Sequence, residues 1–543
     1  MWGAKSALGL VGMPIQGECA HGGAAEWSAM DLLTLISGLD VERRADDGAL
    51  ARVRVCDITE DSSTAVPGSL FVARKGTRDR GSAHVDEAID GGAVAVLTDD
   101  RELLDRSDSV VLVCEDAALI GNVVAERFYR APSGTLKIAA VTGTNGKTTV
   151  AHFVDRIMDG AKQRCGLIGT VEIDDGRERG RAAMTTPPGI ELSRTLATMV
   201  EHGCKACAME ASSHALDQRR TGAVEIDAAG FTNLTGDHLD YHKELGEYAR
   251  AKARLFEGLG DGAVAAINVD DAHGGMMIDA CADGVRVARC SMVDEGADWF
   301  ARVEDESIDG MRVVVTSPIG VVEARVGFFG EYNAHNAMIA LALSEALLEK
   351  LGVGVEDRLG ALTRGLHRLN LPRGRMERAG TGKPRVFVDF AHTDDALAHA
   401  LGAARRVLPE GSKLWCVFGC GGDRDRTKRP RMGRVVRGGA DVVVVTSDNP
   451  RSEKPGAIVD EVLSGMSKSE RDGVVVQVDR ARAIRYAVEH ADEEDVILIC
   501  GKGHETEQIV MGDRGELVTH HFDDLEHARG AIEDRGTKKG VVV

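Results

Sequence analysis

Along this chain, short and nearly unbroken apolar runs alternate with stretches of helical periodicity. From Glu26 to about Pro132 the runs GSLFVARKG, GAVAVLTDD and SVVLVCED are separated by helical segments, the pattern of a small α/β unit. LKIAAVTGTNGKTTVAHFVDRIM then opens a new cycle of apolar strand, glycine-rich turn and helix. Strand-like runs recur at KACAME, AAGFTNL and GAVAAIN, spaced by helical stretches such as LSRTLATMV, which predicts a parallel sheet with crossover helices. Near residues 300–330, ARVEDESIDGMRVVVTSPIGVVEARV alternates in the antiparallel manner and reads as a small β insert beside that sheet. LPRGRMERAGTGKP gathers Pro, Gly and charges as a linker does. After it, PRVFVDFA, KLWCVFG, ADVVVVTSD, GVVVQV and DVILICG form a third α/β set. The expected division is a flexible extension over 1–25, units over 26–132, 133–370 and 371–533, and a tail over 534–543.

At ~150 residues per domain, 543 residues allow three or four domains. A net charge of −20 opposes a broad electrostatic grip on nucleic acid or an anionic membrane. The longest apolar runs fall well short of the ~20 residues that span a bilayer, so no membrane segment is expected. Eleven scattered cysteines, an odd count, do not form a disulfide framework. Cys204 and Cys207 make a C-x-x-C with no second pair at zinc spacing and are read as core. The N-terminal MWGAKSALGLVGMPIQGECA lacks the clean apolar stretch of a signal peptide, and the expected compartment is the cytoplasm.

The strongest local signal is VTGTNGKTT at residues 141–149. A phosphate-binding loop needs glycines that let backbone N–H groups turn inward, a lysine for the β/γ-phosphates and a hydroxyl for Mg²⁺. Gly143, Gly146, Lys147 and Thr148 supply these between a strand and a helix N-terminus, although Val141 stands where the full motif has its first glycine. ATP or a similar nucleotide is the expected ligand. Glu210 at a strand end, His238 in FTNLTGDHLDYH and Lys252 in EYARAKARLF each have an ordinary structural reading when taken alone. The basic run at residues 421–439 lacks the interleaved aromatics of a nucleic-acid site and suits a small anionic ligand.

Taken together, VTGTNGKTT, TTPP, EASSHALDQRR, FTNLTGDHLDYH, AKARLF, GEYNAHNAMIA, VDFAHTDDAL, FGCGGDRDRTKRP, SDNPR and GKGHE occur in the order seen in Mur ligases, and the resemblance covers about residues 55–525. It implies an α/β, three-domain architecture with a central P-loop parallel-sheet ATPase domain and a Rossmann-like C-terminal domain. The activity implied is ATP-dependent addition of meso-2,6-diaminopimelate to UDP-N-acetylmuramoyl-L-alanyl-D-glutamate through an acyl phosphate, by a cytoplasmic monomer. L-lysine as the added amino acid, a folylpolyglutamate synthase and a non-catalytic nucleotide-binding regulator are the alternatives.

The resemblance also assigns roles. Lys147, Glu210, His238 and a carbamylated Lys252 would be catalytic, and Thr148, Glu210, His238 and Lys252 would serve two Mg²⁺. Thr142, Gly143, Thr144, Asn145, Gly146, Lys147, Thr148 and Thr149 would hold the phosphates, with Asn333, Asn336, Arg375, Asp389 and His392 around the rest of the nucleotide. Ser62, Thr77, Arg78, Asp79, Thr185, Thr186, Ser212, Gln218 and Arg220 would contact the UDP-sugar-peptide. Arg424, Asp448, Asn449, Pro450, Arg451, Gly501 and Glu505 would line the amino-acid pocket, where a guanidinium at Arg451 matches the distal carboxylate that diaminopimelate has and lysine lacks. Four positions depart from the family pattern: Ser63 and Gly236 where Arg is usual, Asp394 for Pro, and Thr427 for Gly.

Overall fold

The computed structural model describes residues 29–76, 80–236 and 239–540. Three sheets organise them. The first has five strands: β1 (Glu42–Arg43), β2 (Asp57–Thr59), β3 (Ser69–Ala73), β4 (Ala95–Thr98) and β5 (Val110–Val113), in the order β1-β5-β4-β3-β2. All its pairings are parallel except β1 with β5. Helix α1 (Ala117–Phe128) leads out of it.

The second sheet has eleven strands. Its parallel centre consists of β6 (Lys137–Thr142), β7 (Cys165–Ile168), β10 (Ala206–Glu210), β11 (Ala228–Phe231), β12 (Val264–Asn268) and β13 (Arg286–Ser291). A hairpin, β8 (Glu172–Asp174) and β9 (Arg179–Arg181), extends one edge. At the other edge β14 (Trp299–Ser307), β15 (Gly310–Ser317) and β16 (Gly320–Val326) form the expected antiparallel meander. It is continuous with the sheet rather than an insert beside it, because β13 and β14 pair in parallel through Cys290↔Trp299 and Ser291↔Phe300.

Strands buried on both faces read as continuous apolar runs. In β6, Ala139 and Val141 face a core shared with α2 (Lys147–Gly160) and α6 (Glu331–Lys350). Ile138 and Ala140 face the opposite core, with α3 (Gly189–Glu201) and α5 (Leu245–Glu257), while the short α4 (Ser213–Asp217) follows β10. Helix α6 is buried at every position from Asn336 through Leu348, so it is enclosed on nearly every side instead of amphipathic. Helix α7 (Val355–His367) closes this layer.

The third sheet runs β17-β18-β22-β19-β20-β21, from β17 (Glu377–Arg378), β18 (Arg385–Asp389), β19 (Leu414–Phe418), β20 (Val442–Val445), β21 (Val474–Val476) and β22 (Val496–Cys500). Only β17 is antiparallel. The segment expected as a linker therefore contributes its edge strand. Val496, Leu498 and Cys500 pack on α8 (Asp394–Arg406) and α9 (Lys428–Gly439), and Ile497 and Ile499 pack on α10 (Arg480–His490) and α11 (Asp524–Gly540). Helix α11 corrects the expectation of a tail from residue 534, since it runs to Gly540. A hairpin of β23 (Glu507–Met511) and β24 (Leu517–His521) precedes it. Among the described residues no helix is long and apolar enough to cross a membrane. The C-x-x-C pair is core, with Cys204 and Cys207 buried as free thiols.

Candidate functional site

The loop between β6 and α2 is shaped by two glycines. Gly143 and Gly146 have φ of +152° and +89°, which side-chain-bearing residues rarely adopt. A Cβ at Gly143 would overlap Thr232 Oγ1, and one at Gly146 would lie 2.5 Å from Asn336 Oδ1. The neighbouring strand's continuation fixes the loop. Thr144 N donates to Asn233 O at 2.8 Å, Asn145 N donates to Asn233 Oδ1 at 2.9 Å, and Thr232 Oγ1 donates to Asn145 O at 2.6 Å. Lys147 Nζ folds back onto the carbonyls of Gly143 and Thr144 at 3.0 and 2.9 Å instead of facing solvent. Thr142 is fully buried at the end of β6 and belongs to the sheet more than to the loop surface.

Glu210 ends β10 and lies opposite Val141 of β6. Its carboxylate is fully buried and accepts bonds from Thr148 Oγ1 at 3.0 Å, Thr170 N at 2.6 Å and Thr170 Oγ1 at 3.1 Å. Arg375 Nη2 donates to Thr148 Oγ1 at 3.1 Å, bringing the third sheet's unit against the loop. Lys252 on α5 is 1% exposed, with Nζ 2.6 Å from Gly143 O and 4.3 Å from the centre of the Tyr248 ring. The hydroxyl of Thr148 and the carboxylate of Glu210 are hard oxygen donors of the kind Mg²⁺ takes, so they fit such an ion. No group of three or more His, Cys, Asp or Glu side chains forms a metal cluster among the described residues. His238 lies outside the described residues.

Beside the loop is a cavity of about 360 Å³. Asn145, Gly146, Thr149, Asn333, Asn336, Arg375, Asp389 and His392 line it, together with Tyr332 and Phe390, which lie within the motifs without an assigned role, and Met292 and Met376, which lie outside them. The mixture of amides and flat or apolar side chains suits a purine. Arg375 stacks 4.7 Å from the Phe390 ring centre, and burial lowers its pKa. Burial raises the pKa of Asp389, opposed by Arg375, and the backbone N–H groups of Met376 and Ala391 hold its oxygens at 2.7 and 2.8 Å. Asp395, in the first turn of α8, accepts from Asn145 Nδ2 and Thr235 Oγ1 at 2.9 Å each, a second tie across the loop.

A cavity of about 440 Å³ adjoins the first through His392 and Phe390. Arg424, Asp448, Asn449, Arg451, Gly501 and Glu505 line it, as do Lys428 and Arg431. Pro450 does not; its carbonyl instead packs so closely on Gly422 that a Cβ there would collide with it. Arg451 has φ +51°, unusual for a residue with a side chain and a frequent mark of a functional site. Arg451 N donates to Ile509 O at 3.0 Å and Nη1 to Gly422 O at 2.7 Å. Burial lowers its pKa, helped by Arg424 nearby.

A third cavity, about 790 Å³, lies between the first sheet and α3, lined by Thr59, Glu60, Arg74, His84, Pro188 and Arg194. Ser62 is not among its walls, and its hydroxyl donates to Glu87 Oε2 at 2.6 Å. Thr77, Arg78 and Asp79 lie outside the described residues, although Gly76 and Gly81 on either side line the cavity. Thr185, Thr186, Ser212, Gln218 and Arg220 form one network behind Glu210. Thr186 Oγ1 donates to Glu210 O at 2.7 Å and accepts from Ser212 N at 3.1 Å; Arg220 Nη1 donates to Thr186 O at 2.7 Å and its Nη2 to Gln218 Oε1 at 2.8 Å. Thr185 Oγ1 is 3.0 Å from Thr170 Oγ1.

Two family descriptions match: Mur ligase middle domain over residues 141–344, and Mur ligase, glutamate ligase domain, over residues 374–503. The UDP-N-acetylmuramoyl-L-alanyl-D-glutamate--2,6-diaminopimelate ligase of Synechococcus elongatus is 37% identical over 93% of this chain and 99% of its own length. The chain belongs to the Mur ligase family. The Pseudomonas aeruginosa protein of the same name is 39% identical over 88% of this Mur ligase and 94% of its own length. A solved structure of a ligase with that name superposes with a TM-score of 0.65 at 31% identity, covering 94% of this chain and 99% of that one. A folylpolyglutamate synthase from Mycobacterium tuberculosis, solved with ADP and AMPPCP, shares the fold at 21% identity and a TM-score of 0.56 over 69% of this chain.

Proposed function

We propose that this Mur ligase uses ATP to join meso-2,6-diaminopimelate to UDP-N-acetylmuramoyl-L-alanyl-D-glutamate, as a cytoplasmic monomer. The names of its full-length relatives support the reaction, and the cavity that pairs Arg424 and Arg451 with Asp448 and Glu505 carries the choice of amino acid. Diaminopimelate has a carboxylate beside its distal amine; L-lysine has the amine alone. A guanidinium that meets a carboxylate in a two-pronged bond is left facing nothing by lysine.

ATP occupies the 360 Å³ cavity with its phosphates on the 143–148 loop. The dipeptide carboxylate attacks the γ-phosphate, ADP leaves, and the amino acid's amine attacks the acyl phosphate carbonyl as phosphate departs. Lys147 swings from its own loop carbonyls to the β/γ-phosphates, and the helix N-terminus adds positive potential. Thr148 and Glu210, with His238 and a carbamylated Lys252, would hold Mg²⁺, which supplies charge neutralisation where two anions meet. The ties from Arg375 and Asp395 keep the third unit closed over the loop, excluding water from the acyl phosphate. The nucleotide-binding regulator reading is disfavoured by the intact loop, Glu210 and Lys252. The test is competition between the two amino acids: diaminopimelate should be preferred by about 10²–10³-fold, and Arg451→Ala should abolish the preference. Equal incorporation of L-lysine, or a preference unchanged in the variant, refutes the reading.

A further inference from the structure

Beneath the amino-acid cavity lies a cation that the mechanism above does not use. Lys502 follows β22 and is 0% exposed. Gly501 and Gly503 on either side have φ of +119° and +54°, and the turn they allow carries the lysine inward. Its Nζ lies 3.1 Å from Asn449 Oδ1, 3.3 Å from Glu505 Oε2 and 3.6 Å from Asp448 Oδ1. A lysine is tolerated without water only when paired, and here one ammonium serves two carboxylates.

The cluster of Lys502, Asp448 and Glu505 thus carries one net negative charge, facing a cavity that both carboxylates line. Asp448, 8% exposed, has an Oδ1 that accepts no hydrogen bond. Glu505 takes its bonds from Asn449 Nδ2 at 2.8 Å and from Lys502, both on Oε2. Asp448 Oδ1 itself faces Lys502, so what suits a single ammonium is the one unit of negative charge left on two carboxylates that line the cavity.

We propose that Lys502 is a positioning residue for amino-acid selection: it balances the Asp448–Glu505 pair so that the pair accepts one ammonium, and it orients Glu505 without touching the substrate. The inference rests on reading this cavity as the amino-acid site. Burial raises the pKa of Glu505, Asp448 pushes the same way, and Lys502 opposes both. Arg451 and Arg424 also face these groups across the cavity, and the buried Arg480–Asp524 pair lies behind Asp448. Asp394, Asp425, Lys428 and Arg431 line the far side. Without Lys502 the pKa of Glu505 climbs further toward the neutral acid, which loses its charge and keeps only its bond from Asn449 Nδ2.

Steady-state kinetics of the full chain between about pH 6.5 and 9 tests this, using wild type, Lys502→Met, Glu505→Gln and the double variant. Lys502→Met should raise KM for diaminopimelate about tenfold or more near pH 7, with KM for ATP within about twofold. The deficit should shrink as pH rises and Glu505 ionises. The double variant should be no worse than Glu505→Gln alone, because Lys502 acts through Glu505. A deficit independent of pH, equal increases in every KM, or additive losses would overturn the proposal. An unchanged KM for diaminopimelate in Glu505→Gln would instead overturn the assignment of the cavity, and the proposal with it. Should Lys502→Met not fold, Lys502→Gln, which retains a bond to Asn449, carries the same comparison.

Discussion

Replacing Gly146 by alanine isolates what the phosphate loop requires of its backbone. Gly146 caps α2 with φ +89° and ψ −15°, a left-handed conformation. A side chain there costs about 1–2 kcal/mol. The new Cβ would sit 2.5 Å from Asn336 Oδ1 and 3.2 Å from its Cγ, about 1 Å inside ordinary contact for the nearer atom. Asn336 is 6% exposed on a helix buried in the core, so the loop rather than the helix must yield. Overpacking of this kind adds about 1–3 kcal/mol, for a total of about 2–5 kcal/mol. A loop displaced by ~1 Å loses ~10²-fold in a reaction that depends on phosphate alignment. ATP-dependent product formation and thermal unfolding of the same variant measure both effects. Adding Asn336→Ala should restore the steric part of the stability while activity stays low, because the left-handed conformation is still disfavoured and Asn336 itself lines the nucleotide cavity. Gly146→Ala with kcat and KM for ATP within about twofold of wild type would refute the argument.

Two other outcomes follow from buried titratable groups. Lys252→Ala should lower turnover by roughly 10²-fold or more and be partly rescued by short carboxylates, as expected if a carbamate on this lysine does the work; full activity, or no rescue, counts against carbamylation. Glu126, 0% exposed between Ser133 and Ser193, has its pKa pushed up to about 7 by burial, opposed by those serines. The native state therefore holds a proton that the unfolded chain has released above about 4.5. Its contribution is present below that pH and is lost as pH rises through about 7, a change of about 3 kcal/mol. Glu126→Gln should gain stability relative to wild type between about pH 5 and 8, read as a difference in Tm that grows with pH; a constant difference would show that Glu126 does not titrate there.

What is legible in the sequence is whatever local pattern dictates. The apolar run of β6 and the glycines of GTNGKTT fix a strand, a left-handed turn and a helix within about twenty residues, and the loop forms as expected. Long-range placement is less legible. DSSTAVPG marks Ser62 as a candidate ligand contact, but it does not show that Asp61 caps the short turn and that the Ser62 hydroxyl donates to Glu87, 25 residues away. The end of the last helix reads as a tail because EDRGTKKG has no apolar stripe; its earlier turns are anchored on α10 by Leu525 and Ala528, and helical hydrogen bonding carries the polar end along. Lys502 is the sharpest case. In GKGHE it resembles any solvated lysine, since its burial depends on Asn449, 53 residues earlier, and on a turn that points it inward. The motif marks the edge of the pocket, whereas the charge balance within it emerges only when two distant loops meet.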